Sequence, residues 1–144
     1  MQYLVSVGAR VAYRSAAGYD ALIDAQFARG GPRLELVRYL LDHGAPVDGV
    51  SKYGETALNV AAREMRMAIV RLLIDRGASE DELGWGPLAR AVAVGSLAEV
   101  EAALRGGEDR AQRDRWRRPP WMLSLEIGDR AKAARLFLQR CRRS

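Results

Sequence analysis

The chain is poor in the residues that metal binding and covalent cross-linking require. Among its 144 residues, Cys141 is the single cysteine and His43 the single histidine. One cysteine cannot form an internal disulfide, and this pair cannot supply the usual ligand sets of a zinc site. The sequence therefore predicts no internal disulfide, no metal site and no cofactor.

Long hydrophobic runs are also missing. No apolar stretch approaches the ~20 residues that a membrane-spanning helix needs. The segment "MQYLVSVGARV" has no basic region and too short an apolar stretch for a signal peptide. Together with the cysteine count, this leads us to expect a soluble, cytoplasmic protein with no membrane partner.

Aromatic residues are scarce at 7% of the chain, whereas hydrophobic residues make up 49% and charged residues 28%. This composition can bury a core and differs from that of disordered chains. Alanine, leucine and valine dominate, which favours small-residue helix packing over a strand-rich core. The length is typical of one domain, so we predict a single domain over residues 1–144.

Charge is distributed unevenly around a net +5. Residues 1–104 contain 11 basic and 13 acidic side chains, and residues 105–144 contain 12 basic and 5 acidic side chains. Of the 23 basic residues, 21 are arginine, a bias that a GC-rich genome explains as readily as function. The basic end nevertheless raises the question of an acidic partner.

No catalytic constellation can be assembled from these residues. His43 lies at a predicted helix end, where a cation suits the dipole, and Cys141 is expected to be a surface thiol. The triplet Glu80, Asp81 and Glu82 is more typical of a solvated loop than of an ion site. The glycine-containing segments "ARGGPR" and "LRGGED" lack the lysine and serine or threonine of a phosphate loop. We therefore expect that the protein is not an enzyme.

The segment "GETALNVAAREMRMAIVRLLIDRGAS" has the features of a helix–turn–helix unit. Gly54 suits a left-handed turn, and Thr56 can cap the helix that follows. Leu58 begins a short apolar face at helical spacing. Met67 to Arg76 reads as a second helix, which Gly77 ends.

The unit recurs with the same length. "GWGPLARAVAVGSLAEVEAALRGGE" runs 23 residues from Gly84 to Gly107, as the first segment does between its own glycines. Pro87 suits the first position of a helix. A further copy, "RRPPWMLSLEIGDRAKAARLFLQRC", has Arg117 at the turn-glycine position and Pro120 at the helix start.

A looser copy lies earlier, in "GYDALIDAQFARGGPRLELVRYLLDHGA". It spans 26 residues from Gly18 to Gly44, and we assign the surplus to a widened loop at "ARGGPR". The glycines that close the second helices are spaced by 33 residues, from Gly44 to Gly77, and by 30, from Gly77 to Gly107.

These units resemble ankyrin repeats, whose period is near ~33 residues with a β-turn and two helices. "YLLDHGAPVD" and "RLLIDRGASED" resemble the second helix and the turn after it. "GETALNVAA" and "GWGPLARAV" resemble the family's Gly-x-Thr-Pro-Leu-x-x-Ala signature. The resemblance covers about residues 1–141. It implies an all-α solenoid with a partial repeat at 1–12, repeats at 13–47, 48–78 and 79–110, and a C-terminal capping repeat at 111–144.

The chain departs from the family pattern in two ways. The turn before Gly84 is three residues shorter than the turn before Gly54, so we predict a clipped β-finger at Glu80–Leu83. The signature histidine is absent from every copy, and its hydrogen bonds cannot be assumed. The residues at its position are Ile23, Asn59, Ala89 and Met122.

The last copy carries three expectations of its own. If Arg117 adopts the turn geometry of the aligned glycines, it is strained by about 1 kcal/mol. Trp121 stands at the signature leucine position, so we expect it in the core. The ending "RLFLQRCRRS" is polar enough to cap a solenoid.

The resemblance also implies a function. In ankyrin-like solenoids the fingers and first helices line a concave groove that commonly binds proteins, and rings here can instead pack on neighbouring fingers. We expect a non-enzymatic protein-interaction module. Phe27, Leu83 and Glu126 are further positions on the same face. The candidate partner-binding residues are Tyr19, Lys52, Tyr53, Glu55, Arg63, Glu82, Trp85, Arg115, Trp116 and Arg118.

The segment "RAQRDRWRRPPW" leaves an alternative open. It interleaves arginines with Trp116 and Trp121, and arginine pairs with phosphates and stacks on aromatic rings. Nucleic-acid binding, an arginine-rich edge for an acidic protein partner, and a solvated face are all compatible with it. Asp114 can also pair with a neighbouring arginine.

Overall fold

The structure, a computed structural model, describes the backbone of residues 11–141 and the side chains of residues 11–138. The partial repeat expected at 1–12 lies almost wholly outside this range, as does the side chain of Cys141. Within it the chain forms eight α-helices, one short 3-10 helix and an isolated bridge between Arg14 and Asp20. None of the described helices is long and apolar enough to cross a membrane.

The helices divide between two compact units, Met1–Ser79 and Glu80–Ser144. In unit 1, first helices pack on first helices and second helices on second helices, and each repeat also packs its own two helices together. Unit 2 has the same internal pattern. The all-α repeat fold that the sequence predicts is confirmed. The helices are α1 (Ala21–Phe27), α2 (Arg33–Asp42), α3 (Ala57–Arg63), α4 (Met67–Asp75), α5 (Pro87–Val94), α6 (Leu97–Arg105), α7 (Pro120–Ile127) and α8 (Arg130–Cys141).

Small residues and leucines form the core of each unit. In α3, Ala57, Ala61 and Ala62 are at most 1% exposed, which allows the neighbouring backbone to approach closely. Leu58 in unit 1 and Leu88 in unit 2 occupy the same repeat position and are equally buried. Burying each such leucine contributes about 1.5–3 kcal/mol to the free energy of unfolding.

Three of the finger turns are built by the same set of hydrogen bonds. Ser51 N donates to Glu55 O at 2.9 Å, and Gly54 N donates to Ser51 O at 3.0 Å. The Ser51 hydroxyl also accepts from the backbone N–H groups of Tyr53 and Glu55. Ser15 and Asp114 occupy the same position in two other copies and make equivalent turns.

Arg117 adopts the geometry that its alignment predicts. Its φ is +65°, in the left-handed region that Gly54 occupies at +75°. Its N–H donates to Asp114 O at 2.9 Å, which is the same bond that Gly54 makes. The register of the last copy is therefore confirmed, and an arginine stands where the other copies have glycine.

Neighbouring fingers within a unit are joined through their backbones. Lys52 N donates to Ala17 O at 3.0 Å in unit 1, and Arg115 N donates to Leu83 O at 2.9 Å in unit 2. A Cβ at Gly84 would lie 3.0 Å from the nitrogen of Arg115, in addition to the strain of its positive φ. Glycine is therefore required there on two grounds.

The helix starts follow the sequence prediction. The Thr56 hydroxyl accepts from Asn59 N at 3.0 Å. Asn59, at the family's histidine position, closes a capping box, since its Oδ1 accepts from Thr56 N at 3.1 Å. Its amide Nδ2 also donates to Gly54 O at 3.1 Å. Pro87 and Pro120 are the first residues of their helices, as expected.

Two loops also match their predictions. Between Glu80 and Gly84 the chain makes a 3-10 helix over Asp81–Leu83 in place of a full finger. Five residues, Ala28 to Pro32, separate α1 from α2, whereas three separate α3 from α4. The loop from Ala28 to Pro32 is the widened one expected at "ARGGPR".

Two cations, the partly buried Arg66 and the buried Lys132, connect consecutive repeats, and the sequence alone did not indicate them. Arg66 Nη1 donates to Gln26 O at 2.8 Å in unit 1. In unit 2, Lys132 Nζ donates to Val92 O at 3.0 Å and to Gly95 O at 2.8 Å. Each cation satisfies carbonyls at the C-terminal end of the preceding first helix, where the dipole favours positive charge.

One apolar side chain of the last repeat, that of Trp121, is less buried than the sequence predicts. Trp121 is only partly buried, with its ring centroid 6.0 Å from that of Phe137, whereas Leu123 is fully buried. The core placement expected for Trp121 was therefore wrong, since its ring is partly exposed and lies beside Phe137. Leu125 and Leu138 are 52% and 61% exposed, so α7 and α8 also present apolar side chains to solvent.

Candidate protein-binding surface

Unit 1 brings four predicted site residues into direct contact. Tyr19 and Glu55 each follow a turn glycine, one repeat apart, and the Tyr19 hydroxyl donates to Glu55 Oε2 at 2.7 Å. Arg63, at the end of α3, lies 3.4 Å from Glu55 Oε1. Tyr53 lies at the tip of the intervening finger. We call these four residues together with Phe27 the aromatic surface.

Three rings form the centre of the aromatic surface. The centroid of Tyr19 lies 6.1 Å from that of Phe27, edge to face, and 6.2 Å from that of Tyr53, tilted by 37°. Such spacings are those of favourable aromatic contacts. The two outer rings remain accessible, with Tyr53 73% and Phe27 49% exposed.

Glu55 contacts both an aromatic ring residue, Tyr19, and a charged residue, Arg63. One of its oxygens accepts from Tyr19 and the other faces Arg63, which also pairs with Glu64 at 3.2 Å. The hydrogen bond to Glu55 raises the pKa of Tyr19 above its usual 10.0, and partial burial and the charge of Glu55 act in the same direction. Tyr19 therefore stays a protonated donor throughout the neutral range.

Lys52 borders the aromatic surface without joining its contacts. Its backbone N–H pairs with the preceding finger, and its side chain is exposed. The Ser51 hydroxyl, which accepts the N–H of Tyr53, holds the fingertip in a fixed turn. The positions around this ring cluster are therefore set by the repeat backbone and not by a mobile loop.

In the part of unit 2 whose side chains the structure describes, no equivalent surface is formed. Glu82 and Arg115 are exposed and form an ion pair at 2.7 Å, and Glu80 pairs with Arg90 at 2.8 Å. Two of the three carboxylates in the acidic triplet, Glu80 and Glu82, are thus paired with arginines. Among the described residues, no group of histidine, cysteine and carboxylate side chains is arranged to hold a metal ion.

Arg118 has a structural environment that differs from the expected surface position. It is 8% exposed, and its Nε donates to Asp114 Oδ2 at 2.8 Å, which confirms the pairing expected for Asp114. Its Nη1 lies 3.5 Å from Glu126 Oε2, and its guanidinium carbon lies 4.8 Å above the ring of Trp116. Arg118 therefore holds the finger together and is not free to contact a partner.

Two further candidates are partly or fully withdrawn from solvent. Leu83, placed at a fingertip from the sequence, is 0% exposed, because the clipped turn directs it into the core. Trp85 is partly buried, and its indole Nε1 is buried with no acceptor among the described side chains and backbone. Both residues act mainly in packing.

His43 has the structural role expected of it. Its ring stacks on Tyr39 with centroids 4.0 Å apart, and Nδ1 lies 2.7 Å from the Tyr39 carbonyl oxygen. It follows the last residue of α2, where it satisfies a carbonyl at the helix end. No nucleophile contacts it in the described part of the chain.

Comparison with known proteins agrees with this architecture. A family description of ankyrin repeats, in three copies, matches residues 1–82 and 26–109. The chain belongs to the ankyrin repeat family. Members of this family generally mediate protein–protein interactions and are typically non-enzymatic. The aromatic surface lies entirely within the matched residues.

One curated relative shares part of this ankyrin chain. Diacylglycerol kinase iota of Rattus norvegicus is 43% identical over 68 residues, which cover 42% of this chain and 6% of the rat protein. The ankyrin chain therefore corresponds to a small part of that relative, and the kinase activity in the name belongs to the rat protein.

Proposed function

We propose that this ankyrin protein is a non-enzymatic interaction module that binds a protein partner through the aromatic surface of unit 1. The observation that carries the proposal is the contact of Tyr19 with Glu55, Phe27 and Tyr53, which fixes two exposed rings beside charged groups. Tyrosine and arginine are enriched at the energetic centres of protein interfaces.

The fixed geometry supports the proposal energetically. Ordering side chains on binding costs about 0.5–1.5 kcal/mol for each flexible group. Here Tyr19 is held by Glu55 and by two neighbouring rings, and Tyr53 sits on a hydrogen-bonded turn. Little further ordering is needed, so burying the exposed faces of Tyr53 and Phe27 can contribute directly to affinity.

The experiment compares partner capture by three purified variants in extracts of the cells that express the protein. Tyr53→Ala should reduce recovery of specifically bound proteins. The double variant that also carries Phe27→Ala should reduce the recovery further. Leu138→Ala removes an apolar side chain outside the aromatic surface whose exposure, 61%, lies between those of Phe27 and Tyr53, and it serves as the control. Equal capture by all variants, with unchanged melting temperatures, would reject the aromatic surface.

Nucleic-acid binding through the arginine-rich finger is the second candidate function. The carboxylates that neutralise two of its arginines weaken this candidate. Arg115 is paired with Glu82, and Arg118 with Asp114 and Glu126. Binding to a phosphate backbone depends on several free cations along a strand. A gel shift at low salt with single-stranded and double-stranded DNA tests it, and the absence of a shift ends it.

We further propose that this function is exercised in the cytoplasm. The support is compositional, since a chain with one cysteine cannot form the internal disulfides that are common in proteins of oxidising compartments. Fractionation of cells that express a tagged form tests the location directly. Recovery in the membrane or secreted fraction would contradict it.

A further inference from the structure

Arg117 combines a strained backbone with a free side chain. It is one of two non-glycine residues with positive φ among the described residues, and the same turn position is glycine at 18, 54 and 84. Because glycine adopts this geometry without strain, an arginine at this position lowers stability, and the turn itself gives no reason to prefer arginine over glycine.

The side chain of Arg117 makes no contact within the described part of the fold that offsets the strain of its backbone. Arg117 is exposed, and its guanidinium makes no ion pair or hydrogen bond to any side chain or backbone group that the structure describes. Among these residues Arg117 is bonded only through its backbone: its N–H donates to Asp114 O at 2.9 Å, and its carbonyl accepts from Arg113 Nη1 at 3.2 Å. The guanidinium is therefore exposed on the finger and adds no stabilising contact to the described part of the folded chain.

The neighbouring arginines divide into two sets. Arg115 and Arg118 are neutralised by carboxylates of their own unit, whereas Arg113 and Arg117 have no carboxylate partner among the described residues. The bond between Arg113 and the carbonyl of Arg117 keeps these two exposed cations on the same turn. We call Arg113 and Arg117 the free arginine pair.

We propose that the free arginine pair is a binding site for a carboxylate-rich segment of a protein partner, and that Arg117 is retained at the turn for this purpose. A guanidinium binds a carboxylate through two parallel hydrogen bonds, and a rigid turn presents it with little entropy loss. Two cations on one tip suit a short acidic segment, whereas a nucleic-acid strand needs a longer row of cations.

This site is independent of the aromatic surface. It lies in unit 2 and uses other residues, so either proposal can fail alone. A partner that used both surfaces would combine apolar anchoring on unit 1 with charge recognition on unit 2. The free arginine pair is tested with a defined probe, so the test does not require the partner to be known.

The experiment measures binding of a fluorescent poly-glutamate peptide to the full chain by anisotropy at low salt. Arg117→Gly should raise the melting temperature and weaken peptide binding about tenfold, the loss expected for one charged hydrogen-bonding group. Arg117→Lys keeps the charge and should recover part of the affinity. Arg71→Ala removes an exposed arginine of unit 1 and should leave the affinity nearly unchanged.

Three outcomes would overturn the proposal. One is no binding of poly-glutamate by the wild-type chain at low salt. Another is equal affinity of the Arg117→Gly and Arg71→Ala variants, which would show that only net charge matters. The last is tighter binding of an oligothymidylate of matched charge than of poly-glutamate, which would assign the pair to nucleic acid.

Discussion

Tyr19 and Glu55 occupy the same position in two consecutive repeats, and the tyrosine hydroxyl donates a 2.7 Å hydrogen bond to the glutamate. The repeat itself therefore brings together residues that are 36 positions apart in sequence. Because each follows a turn glycine, their side chains leave the backbone in the same direction. The aromatic surface is a product of this register.

The Tyr19–Glu55 bond predicts a pH dependence. The pKa of Tyr19 is raised, so its contribution to stability is present below pH 10 and is lost as pH rises through the raised pKa. Tyr19→Phe should remove from an ultraviolet absorbance titration a tyrosine whose pKa is raised above its usual 10.0, and it should flatten the loss of stability above pH 10. If the substitution instead removes a tyrosine that titrates at the usual value, the bond is contradicted.

Arg117→Gly should increase the free energy of unfolding by about 1 kcal/mol, because glycine adopts φ of +65° without strain. Chemical denaturation measures the change. Gly84→Ala is the matched control and should decrease stability, since its Cβ would meet Arg115 N at 3.0 Å. No gain for Arg117→Gly would argue that the arginine side chain contributes to folding after all.

Asn59→Ala should lower the free energy of unfolding by about 1–2 kcal/mol, because it opens the capping box and leaves Gly54 O without its donor. The measurement is again chemical denaturation. The double variant with Thr56→Ala should lose less stability than the sum of the two single losses, since both residues serve one cap. Full additivity would show that Asn59 acts separately.

The arginines of the last finger should differ sharply in their effect on stability. Arg118→Ala leaves buried Asp114 without its partner and should cost about 3 kcal/mol. Arg115→Ala breaks an exposed pair with Glu82 and should cost less than about 1 kcal/mol. Equal losses in thermal melts would contradict the distinction between the buried ion pair of Arg118 and the exposed ion pair of Arg115.

The backbone features were the most predictable part of this chain. The spacing of turn glycines placed Arg117 in a left-handed turn and predicted the shortened finger before Gly84, because both follow from local geometry. Thr56 likewise followed from helix-cap chemistry. These features depend on residues close in sequence, which a single sequence displays directly.

Side-chain environments were less predictable because they depend on contacts between repeats. Arg118 was expected on the surface, yet its turn places it beside Asp114 and Glu126, where its charge is neutralised. Leu83 was expected at a tip and is buried by the shortening of its own finger. The capping bonds of Asn59 could have been inferred, since an asparagine three residues after a cap can close a box.

Site-specific photo-crosslinking tests the central claim most directly. A benzophenone amino acid replaces Tyr53 in one version of the chain and Leu138 in another, and each version is irradiated in the cells that express it. The account predicts a discrete crosslinked protein from position 53 that is absent from position 138 and is lost when Phe27→Ala is added. Identical products from both positions, or none from position 53, would contradict binding through the aromatic surface.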